Sequence, residues 1–327
     1  MSGVAPAADV IAAGGPRLSN LLERAEARLA EAAAGYGPEL EGHVTRTLAA
    51  GGKRLRPTLV FIAAGDGSSA ELVEAAVAVE LLHMATLVHD DVLDDAAVRR
   101  GEPTVFATGG RAAATATGDL LFSRAFALLA ATGDAAAVRT LSDASSAVAR
   151  GELMQREDAW SAEVTVERYL ERCRLKTARL FEAACRLGAL LGEPGADAAP
   201  GLGAFGDRIG VAFQILDDVL DVSGPTERTG KPRGADLLDG TVTLPLILAR
   251  ERDTRLRGLD MRAAAADPDG AAALCDLIAA TGALEDARAA ALGYVAEGKA
   301  ELDRVELGPD QRALLDLAAD RAVERFA

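Results

Sequence analysis

The pentapeptide Asp-Asp-Val-Leu-Asp occurs twice in the 327-residue sequence, at residues 90–94 and 217–221. On a helix, at about 100° per residue, its first and fifth positions lie about 40° apart and share a face. Carboxylates that converge on one cavity repel each other, by about 4 kcal/mol per pair at about 4 Å with an effective dielectric constant of about 20. A hard divalent cation removes that cost, and Mg²⁺ combines carboxylate ligands with the oxygens of bound phosphates. The pattern therefore predicts magnesium and phosphate chemistry, with these candidate ligands: Asp90, Asp91, Asp94, Asp217, Asp218 and Asp221.

Polar companions at helical spacing accompany both copies. His83 lies within about 20° of Asp90 on the same helix, and Gln214 precedes Asp217 by nearly one turn. The second helix is otherwise apolar, so its carboxylates must face something specific. A single motif of this kind on an acidic chain is typical of a solvated helix face, but two copies with polar companions argue against that interpretation. His89 lies off this face, and we assign it a structural role.

Basic residues indicate where phosphate would be held. Only four of the 35 basic residues are lysine, and three of these lie in Gly-flanked or motif-like segments: Lys53, Lys176 and Lys231. Lys acts as a compact charge for phosphate, whereas Arg grips phosphate bidentately. Arg99 and Arg100 directly follow the first motif, although a basic pair at a helix C-terminus also complements the helix dipole.

Rigid helices are needed to position these side chains. The chain is 50% hydrophobic and only 4% aromatic, with much Ala and Leu, which favour helices. Runs of about 12–25 residues with apolar spacing i, i+3, i+4, i+7 lie between Gly and Pro breaks. We predict an all-α protein with a disordered N-terminal segment at 1–18 and a single domain at 19–327. Residues 224–240 are interpreted as an active-site loop.

Charge and cysteine usage exclude several function classes. The net charge of −15 argues against nucleic acid as a partner. Cys173, Cys185 and Cys275 are far apart and form no C-x-x-C, which indicates reduced thiols in a cytoplasmic protein. We expect no signal peptide, and no membrane span, because no run approaches the roughly 20 uninterrupted apolar residues that a span needs.

Six segments of the chain resemble the trans-polyprenyl diphosphate synthases of the isoprenoid synthase superfamily. They are GGKRLRP (51–57), ELLHMATLVHDDVLDDAAVRRG (80–101), GELMQ (151–155), LKT (175–177), FQILDDVLD (213–221) and GKPRGADLLDGTVTLPLI (230–247), in family order. The resemblance implies an isoprenoid synthase helical bundle around a deep central cavity, generally assembled as a homodimer. It also implies the reaction, a magnesium-dependent head-to-tail condensation of isopentenyl diphosphate with an allylic diphosphate through an allylic carbocation.

The resemblance further implies a role for each matched residue. Three Mg²⁺ ions, held by Asp90, Asp94 and Asp217 with their neighbours, would bind the allylic diphosphate. Further contacts to this diphosphate are implied for Arg99, Lys176, Thr177, Gln214 and Lys231. The diphosphate of isopentenyl diphosphate would be held by Lys53, Arg56, His83 and Arg100.

Two features depart from relatives. The first motif has two residues between Asp91 and Asp94, unlike the longer spacing of bacterial farnesyl synthases. The family often has Lys where Thr241 stands. Because Lys231 is retained, we expect this departure to be modest and to affect one outer contact.

Product length in this family depends on residues one and two turns before the first motif. Short-chain enzymes commonly place an aromatic side chain at or next to the position of Ala85. The candidate pocket residues here lack one: Ala85, Thr86 and Leu82. We therefore predict an all-trans product longer than farnesyl, in the geranylgeranyl-to-octaprenyl range. Alternatively, another helix closes the tunnel through Phe122, Phe126 or Leu153.

Other functions remain as alternatives. The chain could be a geranylgeranyl or farnesyl diphosphate synthase. A class I terpene cyclase shares the fold and one Asp-rich motif, but typically has an Asn/Ser/Glu metal site as its second motif and lacks GGKRLRP. A non-catalytic subunit of a heteromeric synthase has no reason to keep both metal motifs and the cations.

Overall fold

The computed structural model describes residues 6–49, 51–52, 54–224 and 233–324. It is 80% helical, and the predicted all-α class is confirmed. Within the described ranges the only strands are β1 (Val98–Arg99) and β2 (Glu102–Pro103), which pair antiparallel as a small hairpin.

The helices follow one another with short connections. The first seven are α1 (Pro6–Ala13), α2 (Gly15–Ala33), α3 (Pro38–Ala49), α4 (Leu55–Ala63), α5 (Ala70–Leu93), α6 (Val105–Ala131) and α7 (Ala135–Asp158). Next come α8 (Val166–Cys173), a π-helical turn (Arg174–Ala178), α9 (Arg179–Leu191) and α10 (Gly195–Ser223). The C-terminal part comprises α11 (Ala235–Leu238), α12 (Leu244–Arg252), α13 (Thr254–Arg257), α14 (Met261–Ala264), α15 (Pro268–Ala279), α16 (Ala283–Leu302) and α17 (Pro309–Glu324).

Helix α5 is the central element of the N-terminal half. The side chain of Ser69 caps it by accepting a 3.1 Å hydrogen bond from the backbone N–H of Leu72. The helix is apolar on almost every side and packs against α2, α4, α6 and α9. Among the described helices it alone is long and apolar enough to cross a membrane, but 72% of its apolar window is buried in the fold. Such burial is typical of the core helix of a globular protein.

Two glycines allow the close helix packing that brings the site together. A Cβ on Gly210 of α10 would lie 2.5 Å from the Cα of Ala178, at the end of the π-helical turn. A Cβ on Gly151 of α7 would lie 2.5 Å from the backbone nitrogen of Lys176 in the same turn. Any larger residue at either position would push the helices apart. The π-helical turn is therefore clamped between α7 and α10.

The N-terminal segment differs from the expectation of disorder over 1–18. Residues 6–13 form α1, and α2 begins at Gly15. Val10 and Leu18 are only 2% and 1% exposed, and Asp9 forms a 3.1 Å ion pair with Arg321 of α17. Apolar side chains from Val10 to Ala322 belong to one contiguous buried cluster. The Ala- and Gly-rich composition gave no sign of these contacts, because they depend on one buried apolar side chain from each helix, Val10 in α1 and Leu18 in α2.

The Gly109-Gly110 pair, one of the Gly and Pro breaks of the sequence, forms a kink within α6 and does not end the helix. Gly110 has φ +74°, and α6 continues beyond it to Ala131. Only glycine adopts this backbone conformation without strain, so the helix can change direction here.

Candidate active site

The two aspartate motifs face each other across a cavity of about 230 Å³, which we call the carboxylate cavity. Helix α5 supplies Asp90 and, at its C-terminal end, Asp94, while α10 supplies Asp217 and Asp218. The carboxylates that line the cavity are Asp90, Asp94, Asp217, Asp218, Asp236 and Asp239. Its basic lining residues are Arg99, Arg156, Arg172 and Lys176. Six acidic groups and four cations in so small a space indicate binding of ions and polyanions rather than an apolar molecule alone.

Asp218 is held by a chain of hydrogen bonds from uncharged groups. It is 3% exposed, and the Tyr169 hydroxyl donates to its Oδ2 at 2.6 Å. The Gln214 side-chain amide donates to its Oδ1 at 2.7 Å, and the Thr177 hydroxyl donates to Gln214 Oε1 at 2.7 Å. The predicted contacts Thr177 and Gln214 thus lie beside the second motif. Asp221, the last residue of that motif, accepts a 3.3 Å hydrogen bond from the backbone N–H of Asp236.

Lys176 lies on the π-helical turn, and its ammonium group reaches the end of α7. It donates to Glu152 and, at 3.2 Å, to the side-chain oxygen of Gln155. Glu152 also accepts from Arg156 at 3.1 Å, and Arg156 donates to Asp94 Oδ1 at 2.5 Å. The cations on this side of the cavity are therefore held by carboxylates.

The electrostatics of the cavity favour added positive charge. Burial raises the pKa of Asp90 to about 6, with Lys176 opposing the shift and Glu152 adding to it. Burial, and then repulsion by Asp236, raises the pKa of Asp218 to about 8. Both shifts mean that the ionised carboxylates lack sufficient compensating charge.

A second cavity of about 330 Å³ adjoins the first, and we call it the arginine cavity. Its lining includes His83, Arg46, Arg54, Arg99, Arg100 and Asp91. Arg99 lines both cavities, so it belongs to the wall between them. Arg100 has φ +55° on the hairpin turn and donates to the backbone oxygen of Gly51. The hairpin thus places two consecutive arginines in the lining of the arginine cavity.

Asp91 lies apart from the other residues of its motif. It is 4% exposed, and Arg99 donates to its Oδ1 at 2.6 Å. It lines the arginine cavity, whereas Asp90 and Asp94 line the carboxylate cavity. Of the first motif, therefore, two carboxylates face the carboxylate cavity and the third pairs with Arg99.

His83 is surrounded by arginines. Burial lowers its pKa well below the usual value, and Arg56, Arg100, Arg99 and Arg54 lower it further. The imidazole is therefore neutral in this setting.

Arg54 and Arg56 are held differently. The guanidinium of Arg54 is bound by Glu80 at 2.8 Å and also by Glu26. Arg56 stacks on the Phe181 ring at 4.8 Å, and burial lowers its pKa to about 10. Arg56 is not among the residues that line the arginine cavity in the described part of the chain.

This constellation can be compared with known proteins. The model of the polyprenyl synthetase family matches residues 38–274. The chain belongs to that family. It is 40% identical over 287 residues to component 2 of heptaprenyl diphosphate synthase from Geobacillus stearothermophilus, covering 86% of this chain and 89% of the relative. It is 37% identical over 276 residues to the geranylgeranyl diphosphate synthase of Methanosarcina mazei, covering 82% and 85%.

A solved structure supports the same assignment. The polyprenyl synthase from Caulobacter crescentus CB15, complexed with calcium and isoprenyl diphosphate, has a TM-score of 0.89 and 32% identity, covering 98% of both chains. The resemblance found in six segments is thereby confirmed, and the chain is a prenyltransferase. Its family includes synthases of differing product length.

The predicted chain-length residues, Ala85, Thr86 and Leu82, line neither cavity. Ala85 and Leu82 have no exposed surface, and the Thr86 hydroxyl donates to the backbone oxygen of His83 at 2.7 Å. On α6, Phe122 stacks on His89 at 6.2 Å and on Phe126 at 6.1 Å. The structural role assigned to His89 agrees with this stack. Leu153, the third alternative stopper, is 66% exposed.

Several predicted polyprenyl synthetase contacts are thus brought together, and others are not. Lys53 and Lys231 lie outside the described residues. Sequence reasoning assigned no role to Glu152, Gln155, Arg156, Tyr169, Asp236 or Asp239. Asp236 and Asp239, like Glu152 and Gln155, lie inside segments that resemble the family, so the signal existed. For Tyr169 and Arg156 the partner is distant in sequence, and no local pattern identified it.

Proposed function

We propose that this chain condenses isopentenyl diphosphate head to tail with an allylic diphosphate. The carboxylate cavity would bind the allylic diphosphate, and the arginine cavity would bind isopentenyl diphosphate. The observation that carries the proposal is the adjacency of these two cavities, with Arg99 lining both. One cavity is rich in paired carboxylates and the other in guanidinium groups. Only one of the two diphosphates leaves as a metal-bound group in this reaction. The two substrates therefore need sites of different charge.

The donor set of the carboxylate cavity fits Mg²⁺. Its potential ligands are carboxylate oxygens, which hard divalent ions prefer. Burial raises the pKa values of Asp90 and Asp218, so added positive charge would favour their ionised forms. Within the described ranges no three Asp, Glu, His or Cys side chains lie close enough together to hold one ion by themselves. This spread suits ions that complete their coordination with substrate phosphates. The calcium complex of the Caulobacter relative supports the same interpretation.

We assign Asp90, Asp94 and Asp217 to three Mg²⁺ ions, with Asp218 and Asp221 as further candidates. When bound, these ions would neutralise the diphosphate as it leaves the allylic carbon. Asp91 is proposed as a positioning residue for Arg99 instead of a direct ligand, because the two form a 2.6 Å ion pair.

The chain's own groups then act on the substrates. Lys176, Arg99 and Thr177 bind and orient the allylic diphosphate, and cationic groups stabilise the charge that develops on it. Loss of diphosphate breaks the allylic C–O bond, and the alkene of isopentenyl diphosphate attacks the resulting cation. The proton released with formation of the new double bond goes to the departing diphosphate, so no protein base is required. His83 and Arg100 hold isopentenyl diphosphate by its own diphosphate, with Lys53 and Arg56 proposed as further contacts. Lys231 is proposed as a further contact to the allylic diphosphate.

The proposed product is longer than farnesyl, because the position of Ala85 carries no aromatic side chain. We also propose that residues 19–327 act as one domain, in a cytoplasmic homodimer.

The direct test is product analysis. The purified chain is incubated with isopentenyl diphosphate and, in turn, dimethylallyl, geranyl or farnesyl diphosphate, with and without Mg²⁺. We expect metal-dependent elongation to products of 20 carbons or more by mass spectrometry. A product that stops at farnesyl would refute the length assignment. Conversion of the allylic primer to a cyclic hydrocarbon without use of isopentenyl diphosphate would favour a terpene cyclase.

A second candidate is that the chain works only within a two-component synthase. The observation that favours it is the Geobacillus relative, which is component 2 of its synthase. Elongation of farnesyl diphosphate by the purified chain alone would dismiss this candidate.

A further inference from the structure

Arg156 occupies an unusual place at the edge of the carboxylate cavity. It lies in the last turn of α7 and lines the cavity, yet no motif of the sequence pointed to it. Its Nη2 contacts Asp94 Oδ1 at 2.5 Å, and its Nε contacts Glu152 Oε1 at 3.1 Å. The guanidinium therefore bridges the end of α5 and the end of α7.

Asp94 is one of the carboxylates assigned to the ions. It is the residue that follows α5, and its side chain is 36% exposed, while that of Arg156 is 40% exposed. The guanidinium partly neutralises the carboxylate that we assign to a divalent ion. The two cations therefore compete for Asp94.

The bond to Glu152 limits where Arg156 can go. Glu152 lies one turn earlier on the same helix, its side chain is 12% exposed, and it also binds Lys176. A guanidinium released from Asp94 stays within reach of Glu152 and hence of the cavity. Its planar fork suits bidentate contact with a phosphate group.

We propose that Arg156 is an internal counter-ion of the first aspartate motif, which holds Asp94 in the metal-free chain and releases it when metal and diphosphate enter together. The inference rests on the function proposed above. It makes Arg156 a positioning residue that weakens the binding of free metal ions and favours binding of the metal–diphosphate pair. The difference between the two affinities is a coupling free energy.

The test is a titration of the full metal-free chain with Mn²⁺, with free Mn²⁺ measured by electron paramagnetic resonance. We expect Arg156→Gln to bind Mn²⁺ about three- to tenfold more tightly than the wild type, because loss of a half-exposed ion pair is worth about 1 kcal/mol. With saturating inorganic pyrophosphate this advantage should vanish or reverse, because the variant lacks the guanidinium that contacts the phosphate.

Arg304→Gln is the matched control. Arg304 is an exposed arginine with a 2.7 Å ion pair to Glu301, so its loss changes the net charge equally without touching the cavity. If Arg156→Gln binds Mn²⁺ no more tightly than Arg304→Gln does, or if the gain persists unchanged with pyrophosphate, the inference is wrong. Circular dichroism checks folding, and Arg156→Met, which keeps the unbranched stem, answers the same question if the Gln variant does not fold. A wild type that forms no polyprenyl product would instead refute the proposed function, whatever the titration gives.

Discussion

The two aspartate motifs consist of the same five residues, but the structure uses them differently. Helix α5 ends at Leu93, so Asp94 lies just beyond it, whereas α10 continues past Asp221 to Ser223. The middle carboxylates, Asp91 and Asp218, are both nearly buried, at 4% and 3% exposure. Asp91 pairs with a guanidinium, while Asp218 accepts hydrogen bonds from a phenol and an amide.

The difference shows that identical spacing does not imply identical roles. A charged partner neutralises Asp91 and commits it to orienting Arg99. Neutral donors fix the direction of Asp218 without cancelling its charge, and burial raises its pKa to about 8. The middle carboxylate of the first motif is therefore already paired with a cation, whereas the raised pKa of Asp218 means that its ionised form needs added positive charge.

The largest expected effect comes from the first carboxylate of each motif, which should act alike in both. Asp90→Asn and Asp217→Asn each remove a proposed metal ligand but keep the shape of the side chain. We expect kcat to fall about 10²–10³-fold in each, as when a transition-state charge loses a principal stabilising group. Steady-state assays with saturating Mg²⁺ measure this.

Asp95→Asn is the matched control for these variants. Asp95 follows the first motif, its side chain is 71% exposed, and it pairs only at the surface with Arg111 at 3.2 Å. Its φ of +48° is readily adopted by Asn. Its substitution should leave kcat within about twofold, since surface pairs contribute little. Full turnover by Asp90→Asn would overturn the metal assignment of the first motif.

The middle carboxylates should separate the two motifs. Asp91→Asn leaves the guanidinium of Arg99 without its partner, so we expect kcat/KM to fall about tenfold through weaker diphosphate binding. Because both act through one contact, Asp91→Asn and Arg99→Gln should not be additive, with a coupling of about 1–3 kcal/mol in a double-mutant cycle. Asp218→Asn combined with Arg99→Gln should be nearly additive. Additivity in the first pair as well would mean that Asp91 acts independently of Arg99.

Much of this arrangement was predictable from the sequence, and the limits have a physical origin. Helical periodicity predicted that Asp90, His83 and Gln214 lie on inward faces, because it depends only on local geometry. It could not separate Asp91 from Asp90, because a one-residue step of about 100° leaves the side chain near the edge of a face.

Partners brought together by tertiary packing were beyond local reasoning. Tyr169 lies 49 residues before Asp218, and Arg156 lies 62 residues after Asp94. Their contacts depend on how closely α7 and α10 approach the π-helical turn, which Gly151 and Gly210 allow. The N-terminal helix was missed for a related reason, because Val10 and Leu18 acquire a burial site only when the remaining core is present.

The hydrogen bonds that uncharged side chains donate to the second motif should stabilise the fold. Tyr169→Phe removes the 2.6 Å hydrogen bond to Asp218, and loss of one partner of a buried hydrogen bond costs about 1–3 kcal/mol. We expect the free energy of unfolding of the metal-free chain to fall by that amount in urea denaturation. Tyr294→Phe is the control, because its hydroxyl makes a long 3.5 Å contact with Arg174. Equal stability of the two variants would show that the phenol does not support the motif.

The smallest expected effect on rate concerns the part of α5 that precedes the first motif. Ala85→Phe places an aromatic ring one turn before Asp90, on a helix whose packing against α6 includes the stack of His89, Phe122 and Phe126. We expect the product to shorten by one or more five-carbon units while the initial rate of isopentenyl diphosphate use changes less than about fivefold, because neither cavity is altered. Thr86→Val, which removes only the bond to the His83 oxygen, should leave product length unchanged. If Ala85→Phe also leaves product length unchanged while Phe122→Ala lengthens the product, the residue that limits product length lies on α6 and not on α5.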